Sequence, residues 1–412
     1  MYKLHTHCRA CGFGKDPNPT GAKTQPTNDK LLPVFDLGVQ SLANDFRFEH
    51  AEHYGYAPLK VMFCPRCTLA QLSVVVKPEI LYSNYPYVTS KSQTMQDHFN
   101  LLWYEIQKEG NAQSLVEIGS NDGDFLMLAK YRGVNKIIGI DPAQNLSALA
   151  VERGLTTVCD QFNSESAYSA GLSVQDPDVI VARHVFCHID DWQEFMRGIA
   201  VLAGNNTLLV IEVPYVVDLL KNVEFDTIYH EHLSYASVTA IRHLLQPTDF
   251  HIHKIVKFPI HGGALAIMVR RNDSSIPAHE SASQFRDFIT ADTWREFSDS
   301  AHSKIRKLSA FVRALADDGH AVCGFGASAK STVWINACGF DKRHIRFICD
   351  STPGKQWTLS PGSNIPITDE GALMRELPHT CINFAWNFHE EILRKNQDYI
   401  GHGGRIITPF IE

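Results

Sequence analysis

Long apolar stretches are missing from this chain of 412 residues. It has no run of about 18 apolar residues, the length that a membrane-spanning helix needs. The first residues, 1–7, are not followed by the apolar segment of a secretory signal. These absences argue against a membrane partner, and we expect a cytoplasmic protein.

An excess of positive charge is also absent. The formal net charge is -7 and the sequence pI is about 6.3. Nucleic-acid-binding domains usually carry a basic stripe and have a pI above about 9. We therefore expect no nucleic-acid partner, and we expect a monomer or a weak homodimer.

The cysteines do not form the pattern of a disulfide scaffold. Six are scattered through apolar segments, as expected for buried reduced thiols, and these are Cys159, Cys187, Cys323, Cys338, Cys349 and Cys381. The other four form two CxxC pairs, Cys8 with Cys11 and Cys64 with Cys67. Two such pairs close a tetrahedral shell around zinc at a Zn–S distance of roughly 2.3 Å. The spacing predicts a structural zinc site, with a redox dithiol or plain reduced cysteines as the alternatives.

The order of apolar segments predicts an α/β protein of three units. The chain is too long for one core, since domains usually have about 100–200 residues. Residues 1–75 lack periodicity and suit a zinc-binding module. Residues 76–275 alternate strands with helices, which predicts a parallel, doubly wound, Rossmann-like sheet. Residues 276–412 repeat this pattern more weakly, as a second Rossmann-like domain.

Individual elements of these units are also predicted. The central strands are expected at 114–119, 136–141, 156–159, 178–182 and 207–213. Two later strands, 252–258 and 264–270, flank Gly262 and Gly263, which predicts a hairpin that closes the sheet. One helical face carries Phe297, Ala301, Ile305, Leu308, Val312 and Leu315. This face predicts a long helix that bridges two domains within the chain, with a partner-binding helix as the alternative.

A glycine loop follows the first central strand and includes Glu117, Gly119, Asn121 and Gly123. Glycines let the backbone approach a ligand closely, and Asp141 at the end of the next strand is placed to accept ribose hydroxyls. The loop lacks the GxGxxG pattern of dinucleotide sites. Its E-x-G-x3-G pattern favours S-adenosylmethionine, which has no pyrophosphate to cradle.

The third and fourth central strands also end in candidate binding residues. Asp160 is a candidate for the adenine amine, and Phe162 for stacking on the ring, although an ordinary turn explains this segment equally well. The fourth strand runs into Arg183 and then His188, at the edge where open α/β sheets bind ligands. We expect Arg183 in the donor site and at least one histidine of this segment in the pocket.

A histidine-rich segment, Tyr229-His230-Glu231-His232, follows the fifth strand. It does not have the HExxH spacing that places two zinc ligands on one helix face. The segment therefore favours acid–base chemistry over metal binding, with a surface loop rich in histidine as the alternative.

A second glycine loop lies in the C-terminal unit and includes Gly326, Ser328 and Lys330. Backbone amides at the start of the following helix, together with Lys330, would hold an anion. Asp350 follows at the distance typical of a nucleotide-ribose acid, so a second cofactor site is the alternative to a site for a substrate's diphosphate.

Taken in order, these motifs resemble the sugar-nucleotide C-methyltransferases over nearly the whole chain. The resemblance rests on the cysteine pairs, the donor loop, residues 82–87, His188, the Tyr229 segment, the His261-Gly262-Gly263 turn, the second glycine loop and residues 385–388. Ala264 departs from the family, which often has serine there.

The resemblance implies a function and a set of roles. The activity would be S-adenosylmethionine-dependent methylation at C3 of a 4-keto-6-deoxyhexose linked to dTDP or GDP. His232 would be the general base, supported by Tyr229, Glu231 and His188. Residues implied in substrate binding are Tyr85, Tyr87, His261, Gly262, Gly326, Ser328, Lys330 and Asn387. An NAD(P)-dependent oxidoreductase, a zinc-dependent hydrolase and a non-catalytic scaffold remain the alternatives.

Overall fold

The computed structural model describes residues 1–15, 30–49, 51, 55–82 and 93–411, without the side chain of His261. Tyr85 and Tyr87 lie outside the described residues, so their predicted roles stay predictions, as does that of the His261 side chain. No helix within these ranges is long and apolar enough to cross a membrane.

The N-terminal module is a small antiparallel structure. Its strands are β1 (Tyr2–Leu4), β2 (Leu32–Ser41), β3 (Tyr56–Phe63), β4 (Ala70–Leu72) and β5 (Val74–Val76). Strands β2, β3 and β4 pair in that order, and β1 pairs with β5. Every second residue of β3 is fully buried, as expected when one face of a strand covers a core. Two helices follow, α1 (Pro78–Leu81) and α2 (Gln93–Gln107).

The central domain is a sheet with helices on both faces. In chain order its elements are β6 (Ser114–Ile118), α3 (Asp124–Tyr131), β7 (Lys136–Ile140), α4 (Gln144–Glu152), β8 (Thr157–Val158), α5 (Ser164–Gly171), β9 (Val179–Arg183), α6 (Trp192–Leu202), β10 (Leu208–Pro214), α7 (Val216–Asn222), β11 (Ser234–Tyr235), α8 (Val238–Leu245), β12 (Phe250–Phe258) and β13 (Ala264–Arg271). All five residues of β6 and of β9 are buried, because helices cover both faces of these strands.

The strand order of this sheet is β12-β13-β10-β9-β6-β7-β8. Strands β6 to β10 are parallel, whereas β13 runs antiparallel between β10 and β12. The predicted doubly wound sheet and its closing hairpin are therefore confirmed. The order reverses at β6, and open α/β sheets bind ligands at the carboxyl ends of the strands at such a point.

Strand β11 belongs to a different sheet from its neighbours in sequence. It pairs with β4 and extends the N-terminal sheet to the order β11-β4-β3-β2. The histidine-rich segment ends one residue before β11 begins, so the pairing of β11 with β4 connects it to the cysteine module. The sequence gives no sign of this pairing, since the two strands are short and far apart in the chain.

Two helices lead into the C-terminal domain, α9 (Glu280–Gln284) and α10 (Ala291–Asp317). Thr290 caps α10 by accepting a hydrogen bond from the Thr293 N–H. The predicted apolar face is buried from Phe297 to Val312, and Phe297 packs edge-on against Phe35 of β2 at 5.2 Å between ring centroids. The helix also contacts the C-terminal domain, so the predicted bridge between domains is confirmed.

The C-terminal domain is a second Rossmann-like unit. Its elements are β14 (Val322–Phe325), α11 (Ala329–Cys338), β15 (Ile348–Cys349), β16 (Ile367–Thr368), α12 (Ala372–Glu376), β17 (Thr380–Asn383), α13 (His389–Lys395), α14 (Gln397–Gly401) and β18 (Arg405–Ile407). The strands are parallel, in the order β16-β15-β14-β17-β18. The start of α11 faces the carboxyl edge of the central sheet, with the N-terminal module beside both.

Candidate active site

A cavity of about 990 Å³ lies where the three units meet. Its wall includes residues predicted for the donor site, for catalysis and for the substrate site. They are Gly119, Asn121, Asp141, Phe162, Arg183, His188, Tyr229, His232, Ser328, Lys330 and Asn387. Six further predicted residues do not line this cavity: Glu117, Gly123, Asp160, Glu231, Gly262 and Gly326. The structure thus brings together groups that lie more than 250 positions apart in the sequence.

At one end of the cavity, the first glycine loop wraps around Asp141. The carboxylate accepts hydrogen bonds from the backbone N–H groups of Asn121 at 2.8 Å and Ala143 at 2.9 Å. Gly119 has φ +68°, and a Cβ there would lie 2.8 Å from the Val185 side chain. Burial raises the pKa of Asp141. An acidic group is therefore held in a fixed orientation on the wall, as a ribose-binding site requires.

Glu117 lies behind this loop rather than on the wall. It is fully buried, and its Oε1 accepts a hydrogen bond from Arg183 Nε at 3.0 Å. The Arg183 guanidinium also lies over the Phe99 ring, 4.1 Å from its centroid. Burial raises the pKa of Glu117 to about 7, and the Arg183 charge opposes that effect. The geometry makes Glu117 a partner that orients Arg183, and only Arg183 reaches the cavity.

Of the two residues predicted to contact adenine, one lines the cavity and the other does not. Phe162 lines the cavity but is packed against Phe195, with ring centroids 5.1 Å apart. Asp160 is exposed, and its carboxylate accepts a hydrogen bond from the neighbouring Gln161 N–H. Phe162 therefore forms part of the cavity wall, whereas Asp160 does not.

A buried carboxylate beside the donor loop belongs to none of the predicted motifs. Glu212 of β10 is fully buried, and its Oε1 lies 2.6 Å from His98 Nε2, with His184 Nε2 3.6 Å from Oε2. Burial of Glu212 raises its pKa, but His184 and His98 outweigh burial and lower it to about 2. The only sequence signal was an acid within the apolar strand at 208–213, where a charge needs a partner.

At the centre of the cavity, His232 is fixed by a hydrogen bond at each ring nitrogen. Its Nδ1 lies 2.7 Å from the carbonyl oxygen of Thr227, and its Nε2 lies 2.7 Å from the Tyr229 hydroxyl. A carbonyl can only accept, so Nδ1 carries the proton and the Tyr229 hydroxyl donates to Nε2. The basic nitrogen is thus Nε2, whose lone pair accepts the Tyr229 hydroxyl.

His188 lies next to this pair, with its ring centroid 5.2 Å from that of His232 and 5.9 Å from that of Tyr82. Burial, with a smaller contribution from the His184 charge, lowers the pKa of His188 to about 4. Burial and the neighbouring His188 hold the pKa of His232 well below 6.5. Both imidazoles are therefore neutral at pH 7.

Glu231 does not orient the His232 ring, because the Thr227 carbonyl does so. The Glu231 side chain is buried toward the N-terminal module, where its Oε1 accepts a hydrogen bond from Asn44 Nδ2 at 2.9 Å. Burial raises the pKa of Glu231 to about 7. His230 also points toward this module, with Nε2 3.2 Å from the Ala57 carbonyl oxygen. These contacts anchor the segment that carries His232.

At the other end, two lysines and a helix start face the cavity. Ser328 caps α11 by accepting a hydrogen bond from the Ser331 N–H at 3.2 Å. Lys330 follows in the first turn, with its Nζ 5.1 Å from the centroid of the Trp386 ring. Lys355, which belongs to no sequence motif, donates to the Ala327 carbonyl at 2.7 Å. This end suits an anion, since backbone N–H groups and two cations converge there.

The remaining glycines of the predicted substrate site have structural roles. A Cβ on Gly326, at φ +88°, would lie 2.8 Å from Ala385, and one on Gly262, at φ +91°, would lie 2.2 Å from Glu224. Asp350, the candidate acid of a second nucleotide site, accepts hydrogen bonds from the Ala327 and Thr352 N–H groups and is not on the cavity wall. The geometry gives no support to a second cofactor there.

The two cysteine pairs come together as one cluster. All four Sγ atoms lie within 4.8 Å of one another, with Cys8 3.3 Å from Cys67 and Cys11 3.7 Å from Cys64. Sulfurs at roughly 2.3 Å from a tetrahedral zinc are separated by roughly 3.8 Å, so the cluster fits the metal. Four thiolates complete the shell, which makes this a structural site.

Comparisons with known proteins identify the family of the chain. Three family models match it: a zinc binding domain at residues 27–82, a methyltransferase domain at 90–255, and a C-methyltransferase C-terminal domain at 259–410. The C-methyltransferase NovU of Streptomyces niveus is 30% identical over an alignment of 419 positions, which covers 98% of this chain and 95% of NovU. The chain belongs to the C-methyltransferase family.

Solved structures similar to this C-methyltransferase include other methyltransferases. Magnesium protoporphyrin IX methyltransferase (ChlM) from Synechocystis PCC 6803, with bound SAM, is 12% identical and covers 43% of this chain and 79% of its own, at a TM-score of 0.33. The N-methyltransferase NodS from Bradyrhizobium japonicum WM9 is 12% identical and covers 44% of this chain and 98% of its own, at a TM-score of 0.34.

This C-methyltransferase is thus an S-adenosylmethionine-dependent enzyme with a class I central domain, a zinc-binding module and a second Rossmann-like domain. The cavity wall from Gly119 to Asp141 fits the methyl donor, because its carboxylate and its close-approach glycine occur together at the switch point of the sheet.

Loss of a zinc ligand is expected to destabilise the N-terminal module of this C-methyltransferase. We expect Cys67→Ser to lose bound zinc and to lower the thermal midpoint by on the order of 10 °C, because so small a module depends on its metal. Zinc per chain is measured by elemental analysis and the midpoint by calorimetry. Cys159→Ser, which changes an exposed thiol, is the control. Wild-type zinc content and midpoint in Cys67→Ser would contradict a structural zinc site.

Proposed function

We propose that this enzyme methylates C3 of a nucleotide-linked 4-keto-6-deoxyhexose after removing a proton from that carbon. The observation that carries the proposal is the position of His232. It lies in one cavity, between a wall that suits the methyl donor and an end whose lysines suit an anion. A keto sugar linked to a diphosphate would span the distance from the lysines to the imidazole. The family membership supplies the reaction type, methyl transfer to carbon, and the residues suggest the substrate.

The proton is taken by Nε2 of His232. A hydrogen beside a ketone is acidic enough for a positioned imidazole to remove, and such general-base catalysis is worth about 10²–10⁴-fold. Because the pKa of His232 is lowered, its imidazole is in the free-base form at pH 7. The Thr227 carbonyl holds the ring through Nδ1 and stabilises the imidazolium that forms.

Tyr229 then stabilises the enolate oxygen. Before the reaction its hydroxyl donates to Nε2 of His232. When the sugar binds, the hydroxyl turns from Nε2 to the carbonyl oxygen, which frees the Nε2 lone pair for the C3 proton and leaves a donor where charge develops. One such donor typically contributes about 2.7–4 kcal/mol to the transition state. His188, whose ring lies 5.2 Å from that of His232, is a second candidate donor to the enolate oxygen.

Asp141, Asn121 and Arg183 are the residues we assign to the methyl donor. When bound, S-adenosylmethionine supplies a methyl group that is transferred to a nucleophilic carbon. The buried loop fixes the donor's orientation, and holding two reactants in line supplies much of the remaining rate.

The nucleotide diphosphate is assigned to the start of α11. Ser328, Lys330 and Lys355 all lie on the cavity wall there, with Asn387 nearby. Arginine and lysine contacts to phosphate are among the stronger hydrogen bonds in proteins. The nucleotide is dTDP or GDP in this proposal, and the enzyme is a cytoplasmic monomer or weak homodimer.

Loss of Lys330 is expected to weaken substrate binding. We expect Lys330→Ala to raise the substrate KM by about 10-fold, since one charge-assisted hydrogen bond contributes roughly 1.5–3 kcal/mol. The affinity for the methyl donor, measured by calorimetry, stays at the wild-type value. Lys342→Ala, an exposed lysine of the same domain, is the control. An unchanged KM would remove Lys330 from the substrate site.

Loss of the Asp141 charge is expected to weaken donor binding. We expect Asp141→Asn to raise the dissociation constant for S-adenosylmethionine by roughly 10–100-fold, because ribose hydroxyls lose a charged acceptor. The sugar KM, measured at saturating donor, changes by less than about 2-fold. The exposed Asp273→Asn serves as the matched control. Wild-type donor affinity in Asp141→Asn would contradict this assignment.

The substrate itself is tested directly. The protein is incubated with isotopically labelled donor and dTDP-, GDP- and CDP-linked 4-keto sugars, and products are examined by mass spectrometry for the gain of one methylene. A labelled methyl on carbon in any of these sugars supports the proposal. No product with any of them, from protein that binds the donor, would overturn it.

A further inference from the structure

The first cysteine pair contains a buried arginine whose contacts lead to the catalytic segments. Arg9 lies between Cys8 and Cys11 and is only 4% exposed. Its Nε and Nη2 lie 3.2 and 3.1 Å from Asp190 Oδ1. Its Nη1 donates to the carbonyl oxygen of Leu233 at 3.3 Å. One guanidinium therefore joins two segments that are distant in sequence.

Both segments carry a residue that we assign to the reaction. Asp190 follows His188 by two positions, and Leu233 directly follows His232. The guanidinium is rigid and planar, so its two edges fix the distance between its partners more closely than a lysine would. Arg9 thus holds together the two backbones from which the neighbouring imidazoles project.

The cysteine cluster in turn fixes Arg9. The Arg9 N–H donates to Gln71 Oε1 at 3.0 Å, and the Gln71 amide donates to the His7 carbonyl at 2.8 Å. Gln71 is fully buried in β4, the strand that pairs with β11 just after His232. The Cys8 N–H also donates to the Phe13 carbonyl at 2.8 Å, which closes the turn that carries Cys8 and Cys11. The position of the guanidinium is therefore set by the turn whose two cysteines are zinc ligands.

We propose that Arg9 is a positioning residue, through which the zinc-binding module sets the relative placement of His188 and His232. The inference rests on the proposed function, in which these two imidazoles act on the substrate. A misplacement of about 1 Å in a reacting group is enough to cost about 10²-fold in rate. The zinc module then contributes to catalysis as well as to stability.

The second cysteine pair provides a matched control. Arg66 also lies between two cysteines, Cys64 and Cys67, but its side chain is exposed. Arg66→Gln removes the same charge beside the cysteine cluster without touching Asp190 or Leu233. Arg9→Gln and Arg9→Lys are compared with it for zinc per chain, thermal midpoint, kcat and KM.

For Arg9→Gln we expect a full complement of zinc, a kcat lowered by about 10–100-fold, and KM values for both substrates within about 2-fold of wild type. Arg9→Lys keeps the charge opposite Asp190 but loses the planar guanidinium. Its kcat is therefore expected to lie between those of wild type and Arg9→Gln. Arg66→Gln keeps wild-type kcat. A wild-type kcat in a zinc-loaded, folded Arg9→Gln or Arg9→Lys would overturn the proposal, as would an equal fall in kcat for Arg66→Gln.

A measurement without turnover separates this inference from the proposed function. Histidine ring resonances in ¹⁵N-labelled protein are assigned to residues 188 and 232 with the His188→Asn and His232→Asn variants. We expect both to shift in the Arg9 variants and to stay in place in Arg66→Gln. Unmoved resonances would refute the positioning role whatever the enzyme acts on. Shifted resonances, with normal turnover in His232→Asn, would instead refute the assignment of the base.

Discussion

Replacement of His232 by Asn is expected to nearly abolish methyl transfer while leaving the fold and donor binding intact. The Asn amide can still donate to the Thr227 carbonyl, as Nδ1 does now, but it offers no basic nitrogen beside Tyr229. We expect kcat to fall by about 10²–10⁴-fold, the usual contribution of a general base. Exchange of the substrate's C3 hydrogen with deuterated solvent, followed without methyl donor, is expected to stop as well.

The pH dependence provides a second measure of the same group. A base with an ordinary imidazole pKa would lose half its activity at about pH 6.5. Burial and the neighbouring His188 lower the pKa of His232, so its neutral form persists to lower pH. We expect kcat/KM to stay level from pH 7.5 to about 6.5 and to decline only below that. In His232→Asn this acidic limb is absent.

Two outcomes would contradict the assignment. Near-normal turnover in His232→Asn would move the base to His188, because His230 donates toward Ala57 and is not on the cavity wall. Loss of donor binding together with turnover would contradict the separation of the base from the donor site. His402→Asn, which changes an exposed histidine of the C-terminal domain, controls for general effects of the substitution.

Replacement of Tyr229 by Phe is expected to have the next largest effect. The variant keeps the ring that packs against His232, with centroids 4.0 Å apart, but loses the hydroxyl. We expect kcat to fall by about 10²–10³-fold, as when one donor to a developing oxyanion is removed. KM for both substrates stays within about 2-fold. Initial rates at saturating substrates measure the change.

Tyr229→Phe also separates two roles of the hydroxyl. If it only occupied Nε2 of His232, its removal would free the base, and kcat would rise or stay constant. A rise or an unchanged kcat would therefore contradict the proposed donation to the enolate oxygen. Tyr168→Phe, an exposed tyrosine on the central domain, is the matched control.

Local sequence patterns were sufficient for much of the fold. The five parallel strands of the central sheet and the long helix α10 follow from apolar periodicity, because burial on both faces of a sheet or on one face of a helix dictates residue type. The cysteine pairs indicated their cluster for a similar reason, since tetrahedral coordination constrains the spacing of ligands.

The site was harder to predict where a residue's partner is distant in sequence. Lys355, Asn44 and Glu212 carry no motif, and each was found only because the fold brings it to the cavity or beside it. Glu117 and Glu231 belong to motifs, yet their carboxylates turn to Arg183 and Asn44. Motif spacing fixes the position of a residue along the chain but not the direction of its side chain.

The sequence by itself determined the three-unit order, the four cysteines, the donor loop and the segment that carries the histidines, since each depends on neighbours a few residues apart. Only the tertiary structure decided which nitrogen of His232 is basic, that His188 is neutral, and that Arg9 joins both catalytic segments. These properties arise from burial and hydrogen bonds between units, and such contacts form only when the chain is folded.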